Sequence, residues 1–344
     1  MTKYTMLSTN STQGLTGEIL CDKRVNGKDR PWRRYKVKNI ALATIYEQLE
    51  LKKHERVQTC GNYLTFTECT SDSNHPKRLK KAFFCRDRLC PTCSWRKSLA
   101  TAHQVRMVCH TALLERKMRF ILLTLTVKNC AGYELSSTID AMFAGFKRLT
   151  ELKRYKQSVL GFFRALEVSC DSKKETYHPH FHVLLAVPTS YFKSTENLYI
   201  KQTEWISLWR DSMRLDYDPS VDVRIVKPNS KREGSDAISS AVAEVAKYSV
   251  KPELYDLPIE ALQRAVETLD DALKSRRMVS YGGLLRTVSR ALKVADVETA
   301  DLVHPGDDEL AGCTCAVCGS DLVDHMYKWQ ESNYVGFDPQ SIKN

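Results

Sequence analysis

The stretch His178-Pro179-His180-Phe181-His182-Val183-Leu184-Leu185 sets imidazoles at alternating positions. On a strand alternate side chains share a face, so His180 and His182 project together while Phe181, Val183 and Leu185 point the other way. Two imidazoles side by side make half of a metal site, although spacing alone also fits surface or packing histidines. The preceding stretch, Phe162-Phe163-Arg164-Ala165-Leu166-Glu167-Val168, buries a lone carboxylate among apolar neighbours. Such a group is costly unless it is paired or ligating. If the two stretches form a hairpin, Glu167 completes a set with His180 and His182 that leaves positions open for a substrate oxygen. Mixed imidazole and carboxylate ligation suits Mn²⁺ or Mg²⁺ acting as a Lewis acid on a phosphate, without excluding other divalent ions.

A second stretch, Ala243-Glu244-Val245-Ala246-Lys247-Tyr248-Ser249-Val250-Lys251, reads as a helix. At helical spacing Glu244, Tyr248 and Lys251 fall on one narrow arc, and Ile238, Val242 and Val245 form a separate apolar stripe that would dock it. Taken alone this is also an ordinary amphipathic helix with a surface tyrosine. Beside a metal site the reading changes, because a phenol with a pKa near ~10 attacks poorly at neutral pH unless a cation activates it or polarises its target. Tyr248 is then the candidate nucleophile, with Glu244 on the same face and Lys251 a candidate phosphate ligand.

Cysteines supply a third kind of site. Cys85-x4-Cys90-Pro91-Thr92-Cys93 contains a Cys-x2-Cys pair with a third thiol close by, and Cys60 offers a fourth, with Cys69 as its competitor. The pattern predicts a structural zinc that presents Arg86, Arg88, Arg96 and Lys97 to a DNA backbone. Cys313-x-Cys315-x2-Cys318-Gly319 is a candidate second zinc knuckle, with His304 and His325 nearby and no clear fourth ligand. Cys21, Cys109, Cys130 and Cys170 have no evident partners and read as packing or incidental thiols.

The elements that would position these residues follow from periodicity. Residues 119–127 read as a strand and 134–156 as an amphipathic helix. Strands at 160–169 and 179–187 pair as a hairpin, followed by a helix at 197–214, a strand at 221–227 and a helix at 236–250. This order predicts an α+β fold with an antiparallel sheet and helices on one side. Four regions are expected: a basic segment (1–55), a zinc-binding DNA-contact module (56–110), a catalytic domain (115–255), and a mainly helical, acidic and Cys-bearing C-terminal region (256–344).

Charge narrows the partner. The formal net charge of +11 is uneven: nine Lys or Arg face one acid between Lys77 and Arg106, whereas Val294–Leu310 carries six acids and no Lys or Arg. The basic segment suits a polyanion, and the acidic one reads as a solvated linker or protein-contact tail. Residues 1–27 are polar with no apolar core, so no signal peptide is expected, and no apolar run suits a membrane span. A cytoplasmic protein with no membrane partner is expected. Twelve cysteines in a reducing compartment read as metal ligands rather than a disulfide scaffold.

Phe120-Ile121-Leu122-Leu123-Thr124-Leu125-Thr126-Val127-Lys128-Asn129, the His180-Phe181-His182 strand and the Glu244, Tyr248, Lys251 stretch resemble, in order, the three motifs of the HUH endonucleases. More narrowly the chain resembles the replication initiators of small rolling-circle plasmids of Gram-positive bacteria. The likeness runs from Arg30-Pro31-Trp32-Arg33 through Ser280-Tyr281-Gly282-Gly283-Leu284 and includes Cys60, Cys85, Cys90 and Cys93. It implies that His180, His182 and Glu167 hold the catalytic metal, that Tyr248 attacks DNA, and that Glu244 activates water for a terminating cleavage. It also implies plasmid origin DNA, duplex and single-stranded, as partner. No Gly-x4-Gly-Lys-Ser/Thr run is present, so a host helicase is expected to unwind and a host polymerase to extend; a homo-oligomer is compatible. Two rivals remain: a non-catalytic zinc-dependent DNA-binding regulator, and a relaxase or single-strand transposase sharing the same chemistry.

Overall fold

Two antiparallel sheets organise the residues that the computed structural model describes, namely 15–23, 27–171, 174–226, 237–246, 250–306 and 314–339. The chain begins with β1 (Leu15–Ile19), α1 (Trp32–Gln48), α2 (His54–Gln58), β2 (Tyr63–Cys69), β3 (Arg78–Ala82) and α3 (Pro91–Glu115). It continues through β4 (Met118–Thr126), β5 (Cys130–Ala131), α4 (Gly132–Glu151), α5 (Lys153–Ser158), β6 (Gly161–Asp171) and β7 (Thr176–Pro188). Then come α6 (Gln202–Met213), β8 (Val221–Ile225), α7 (Ala237–Val245), α8 (Ile259–Leu273), β9 (Val279–Gly282), α9 (Gly283–Ala291), β10 (Leu322–Gln330) and β11 (Asn333–Phe337). The α+β class is therefore as the sequence predicts.

The larger sheet has the order β8-β4-β7-β6-β9, with β5 on the end of β7. β6 and β7 form the expected hairpin, and their register sets Glu167 opposite His180. Period-two alternation decides what each face meets. Phe181, Val183, Leu185 and Val187 of β7 are buried against the apolar stripe Leu135, Ile139, Met142, Phe146 and Leu149 of α4 and against Trp205 and Trp209 of α6. The Trp209 indole donates to the Thr126 carbonyl at 2.8 Å, which pins α6 to β4. Burying side chains of this size is worth roughly 1.5–3 kcal/mol each.

The opposite face corrects the expectation of helices on one side only. Phe120, Phe163, Ala165, Leu184 and Ala186 pack there against Val105, Val108 and Ala112 of α3, Ile238, Val242 and Val245 of α7, and Leu285 and Val288 of α9. The apolar stripe on the second half of α3 is what the sequence reading left uncounted. At the turn from β9 into α9, Gly283 has φ +55°, and a Cβ there would come within 2.4 Å of the Leu160 carbonyl oxygen, so the close approach requires glycine.

The smaller sheet, β1-β11-β10-β2-β3, joins the two ends of the chain. β10 pairs along the whole of β2, from Leu322 opposite Cys69 to Lys328 opposite Tyr63. Residues 256–344, expected to be mainly helical, thus also carry strands among their described residues. They supply α8 and α9 but also β9 to one sheet and β10 and β11 to the other. β10 carries no clear apolar alternation, because Val323, Asp324 and His325 are exposed and Tyr327 alone is fully buried.

Candidate active site

Three side chains from the paired strands converge on one point. Glu167 Oε2 lies 3.0 Å from His182 Nε2 and 3.6 Å from His180 Nε2. Glu167 is 3% exposed and His180 8%, so the cluster is seated in the sheet rather than on its surface. Burial by itself raises the Glu167 carboxyl, but the hydrogen bonds and charges of His180 and His182 outweigh it and hold the group well below the usual carboxylate range. The far nitrogens are tethered too: His180 Nδ1 is 3.0 Å from the His178 carbonyl, and His182 Nδ1 is 3.4 Å from Thr124 Oγ1 across the β4–β7 pair. The His178 carbonyl fixes His180 Nδ1 as a donor and Thr124 Oγ1 steadies His182 Nδ1, so both rings point Nε2 at Glu167, where a metal ion would take the place of the Nε2 to carboxylate contacts.

His182 also borders an open cavity of about 360 Å³ walled by Thr124, Asp222, Arg224 and Glu244. The exposed Glu244 reaches it from α7, whose stripe of Ile238, Val242 and Val245 faces the sheet as expected. Val250 bridges to Val168, and Lys251 Nζ lies 3.3 Å from Glu167 Oε1. Lys251 therefore arrives from an extended segment, not from the helix face on which the sequence reading put it; φ −70° and ψ 140° end any helix there. Tyr248 lies outside the described residues. Glu244 and Lys251, on its two sides, both border the cluster.

The sulfurs of Cys60, Cys85, Cys90 and Cys93 gather in the core of the N-terminal part, 3.6 Å (Cys60–Cys93), 3.6 Å (Cys85–Cys93) and 3.7 Å (Cys90–Cys60) apart. Four thiolates around a zinc at about 2.3 Å would stand about 3.8 Å from one another, so the set fits that ion. Cys69 is not among them. Cys315 and Cys318 meet Cys69 and His75 instead, while His304 and His325 stand elsewhere and Cys313 lies outside the described residues.

A model of the replication protein family matches residues 76–335. The chain is 40% identical over 294 residues to a Streptococcus pneumoniae protein called Protein rep, covering 85% of this chain and 88% of the relative. To Protein rep of Lactiplantibacillus plantarum it is 40% identical over 295 residues, 85% of this chain and 91% of the relative. A Staphylococcus aureus replication protein is 39% identical over 220 residues, 63% of this chain and 90% of the relative. No solved structure matches. The chain belongs to the replication protein (Rep) family. Its place is among the Rep replication initiators of plasmids.

The basic residues of this Rep chain need correction. Arg96, expected on DNA, is 1% exposed: its guanidinium donates to the Leu302 and Val303 carbonyls at 2.7 Å each and lies against the rings of Trp32 and Trp95. It is a core latch. Lys97 pairs with Glu298 at 2.6 Å, Arg86 donates to the Glu298 carbonyl at 3.1 Å, and Arg88 stands 3.8 Å from the Glu298 carboxylate and donates to the Leu273 carbonyl. Residues 298–303 of the acidic stretch, expected to be a solvated linker or protein-contact tail, are thus folded onto the basic one, while Asp307, Asp308 and Glu309 lie outside the described residues. Arg86 and Arg88 also join Lys52, Arg56 and Lys274 in lining a groove of about 560 Å³, an alliance invisible to residue spacing because it spans three separate segments. Thr124 was legible only as part of a strand motif, and the His178 carbonyl, being backbone, left no signal at all. No helix among the described residues is long and apolar enough to cross a membrane.

Proposed function

We propose that this Rep protein starts rolling-circle replication by cutting one strand of a plasmid's double-strand origin with Tyr248, and that the larger sheet with its helices is an HUH endonuclease fold. The observation that carries the reading is the convergence of His180 and His182 Nε2 on Glu167, with Glu244 and Lys251 bordering the same place. A Mn²⁺ or Mg²⁺ ion held by those three residues would supply Lewis acidity to the scissile phosphate. The phenolic oxygen of Tyr248 bonds to phosphorus as the bond from phosphorus to the 3′ oxygen breaks; the phenolic proton passes to water, and the departing oxygen takes one up. The products are a 5′-phosphotyrosine and a 3′-OH that primes a host polymerase. Because one ester replaces another, rejoining needs no nucleotide cofactor. Glu244 deprotonates a water for the terminating cleavage, and Lys251 reaches a phosphate oxygen.

Cys60, Cys85, Cys90 and Cys93 hold a structural zinc that stiffens the base of the groove bearing Arg86 and Arg88, which meets the origin's phosphate backbone. Strand separation falls to a host helicase. The deciding experiment incubates the protein with a supercoiled plasmid bearing its origin and Mn²⁺, then looks for an SDS-stable protein–DNA adduct. Wild type should form it, and Tyr248→Phe should bind the origin without forming it. Origin binding by the wild type with no adduct would favour the zinc-dependent regulator.

A further inference from the structure

A second thiol-rich cluster lies where the turn before β10 meets β2; Cys69 and His75 fall between Cys60 and Cys85 in sequence but belong to a separate set. Cys69 is the last residue of β2, His75 stands in the loop before β3, and Cys315 and Cys318 occupy the turn that leads into β10. Their donor atoms all lie within 4.8 Å of one another. Cys69 Sγ is 3.5 Å from Cys318 Sγ, and His75 Nδ1 is 3.4 Å from Cys315 Sγ and 3.6 Å from Cys318 Sγ. A disulfide would bring two sulfurs to about 2.05 Å. A tetrahedral zinc with sulfur at about 2.3 Å and nitrogen at about 2.0–2.1 Å instead asks for edges of roughly 3.5–3.8 Å, close to the separations found.

The backbone is shaped for the same purpose. In Cys315-Ala316-Val317-Cys318-Gly319 the Gly319 N–H donates to the Cys315 carbonyl at 2.8 Å, and the Cys315 N–H donates to the Ser320 carbonyl at 2.8 Å. The turn needs φ +75° at Gly319, which glycine adopts without strain. His75 Nε2 lies 3.7 Å from Asp72 Oδ2, and Asp72 is itself oriented by the Asn74 backbone and side-chain amides at 2.8 and 3.0 Å. A carboxylate behind a histidine directs the other ring nitrogen at a metal. Cys69 and Cys315 are buried, yet neither packs into either apolar cluster of the molecule, so ordinary core packing does not account for their position.

We infer that Cys69, His75, Cys315 and Cys318 bind a second, structural zinc that fastens the β10–β11 hairpin to β2, clamping residues 249 apart in the chain. The set omits Cys313 and adds two residues that sequence spacing had not joined to the C-terminal knuckle. This zinc is independent of the nicking chemistry, and of the zinc at Cys60.

Native mass spectrometry of the purified full-length protein with zinc and reductant tests it. Wild type should carry two zinc ions per chain. Cys318→Ser and His75→Ala should each carry one, His75→Cys should keep two because a fourth thiolate replaces the imidazole, and Cys313→Ser should keep two. Limited proteolysis should cut between residues 300 and 321 about 10-fold faster in Cys318→Ser than in wild type, an effect the His75→Cys protein should not show. Wild type with one zinc that Cys318→Ser does not lower would overturn the site, as would a Cys69–Cys318 disulfide seen as a mass two daltons lower that reductant restores. If Cys318→Ser cannot be purified folded, the His75→Ala and His75→Cys pair decides: equal zinc content in the two rejects His75 as a ligand.

Discussion

The Cys60 cluster and the His180 cluster are built from opposite kinds of enclosure. Cys60, Cys90 and Cys93 are 0% exposed and Cys85 1%, and every corner of the sulfur tetrahedron comes from the protein. Backbone N–H groups of Cys85 and Arg86 donate to the Cys60 and Cys93 sulfurs at 3.3 and 3.2 Å. The buried ammonium of Lys36 donates to the Cys60 and Gln58 carbonyls at 2.8 and 2.7 Å, which brings a positive charge to a place where four thiolates around a divalent ion would leave a net negative one. The His180 cluster offers three side chains that could hold a metal, with His182 turned to a 360 Å³ cavity and Glu244 on that cavity's wall. A closed site has nowhere for a substrate to bind and can serve only to hold the chain together. An open one keeps positions for an oxygen that is not the protein's own.

The largest effect should come from breaking the closed site. Structural zinc binding is worth about 10–16 kcal/mol in small zinc modules, more than many whole domains have in hand at roughly 5–15 kcal/mol. Cys90→Ser should therefore release one zinc and unfold the part of the chain packed around Cys60, read by zinc content and by thermal melting. A variant that loses its zinc but melts within a few degrees of wild type would erase the distinction between the two clusters.

Next in size is the open site. His182→Ala should lower origin nicking by about 10³-fold, in the range expected when a group stabilising transition-state charge is removed, while the melting temperature stays within a few degrees. EDTA at concentrations that leave the Cys60 zinc in place should stop nicking in wild type, and added Mn²⁺ should restore it. Equal loss of folding in His182→Ala and Cys90→Ser would make both clusters structural. Glu244→Ala is narrower: first-strand nicking and the covalent adduct should persist, but finished circles should not be released, so products should shift toward multimers. Equal loss of the first cut in Glu244→Ala and Tyr248→Phe would instead make Glu244 a partner in the first step.

What the sequence made legible was local. His180, His182 and Glu167 were placed together because strand alternation and a short hairpin fix their relation within about twenty residues, and the structure sets Glu167 opposite His180. Cys85, Cys90 and Cys93 were legible for the same reason. What failed was long-range or hidden in the opposite face: α3 covering the sheet, β10 pairing with β2, and Arg96 turned inward to carbonyls of residues 302 and 303. Charge on a helix says nothing of which way it faces until the partner segment is known. Glu298 folding back onto Arg86, Arg88 and Lys97 depends on contacts across some two hundred residues, for which composition holds no signal.

The smallest expected effect is the most discriminating. Thr124 Oγ1 meets His182 Nδ1 at 3.4 Å, a long contact that orients the ring and, by accepting from Nδ1, would leave Nε2 for a metal. Valine has nearly the same shape and stays compatible with β4, so Thr124→Val should fold normally and keep its Cys60 zinc. Removing an outer partner of a ligating histidine typically costs 10–100-fold in metal affinity, and the length of this bond argues for the lower end, about 10-fold. The Mn²⁺ concentration giving half-maximal nicking should rise by that factor, while the rate at saturating Mn²⁺ stays within about twofold, because a binding interaction equal in ground and transition states moves affinity and not turnover. A rate that Mn²⁺ cannot restore would mean that Thr124 touches the reacting DNA. No change in the Mn²⁺ requirement would mean that His182 is oriented by the packing of β7 alone, and that the open site, like the closed one, is held rigid by its surroundings rather than by hydrogen bonds to its ligands.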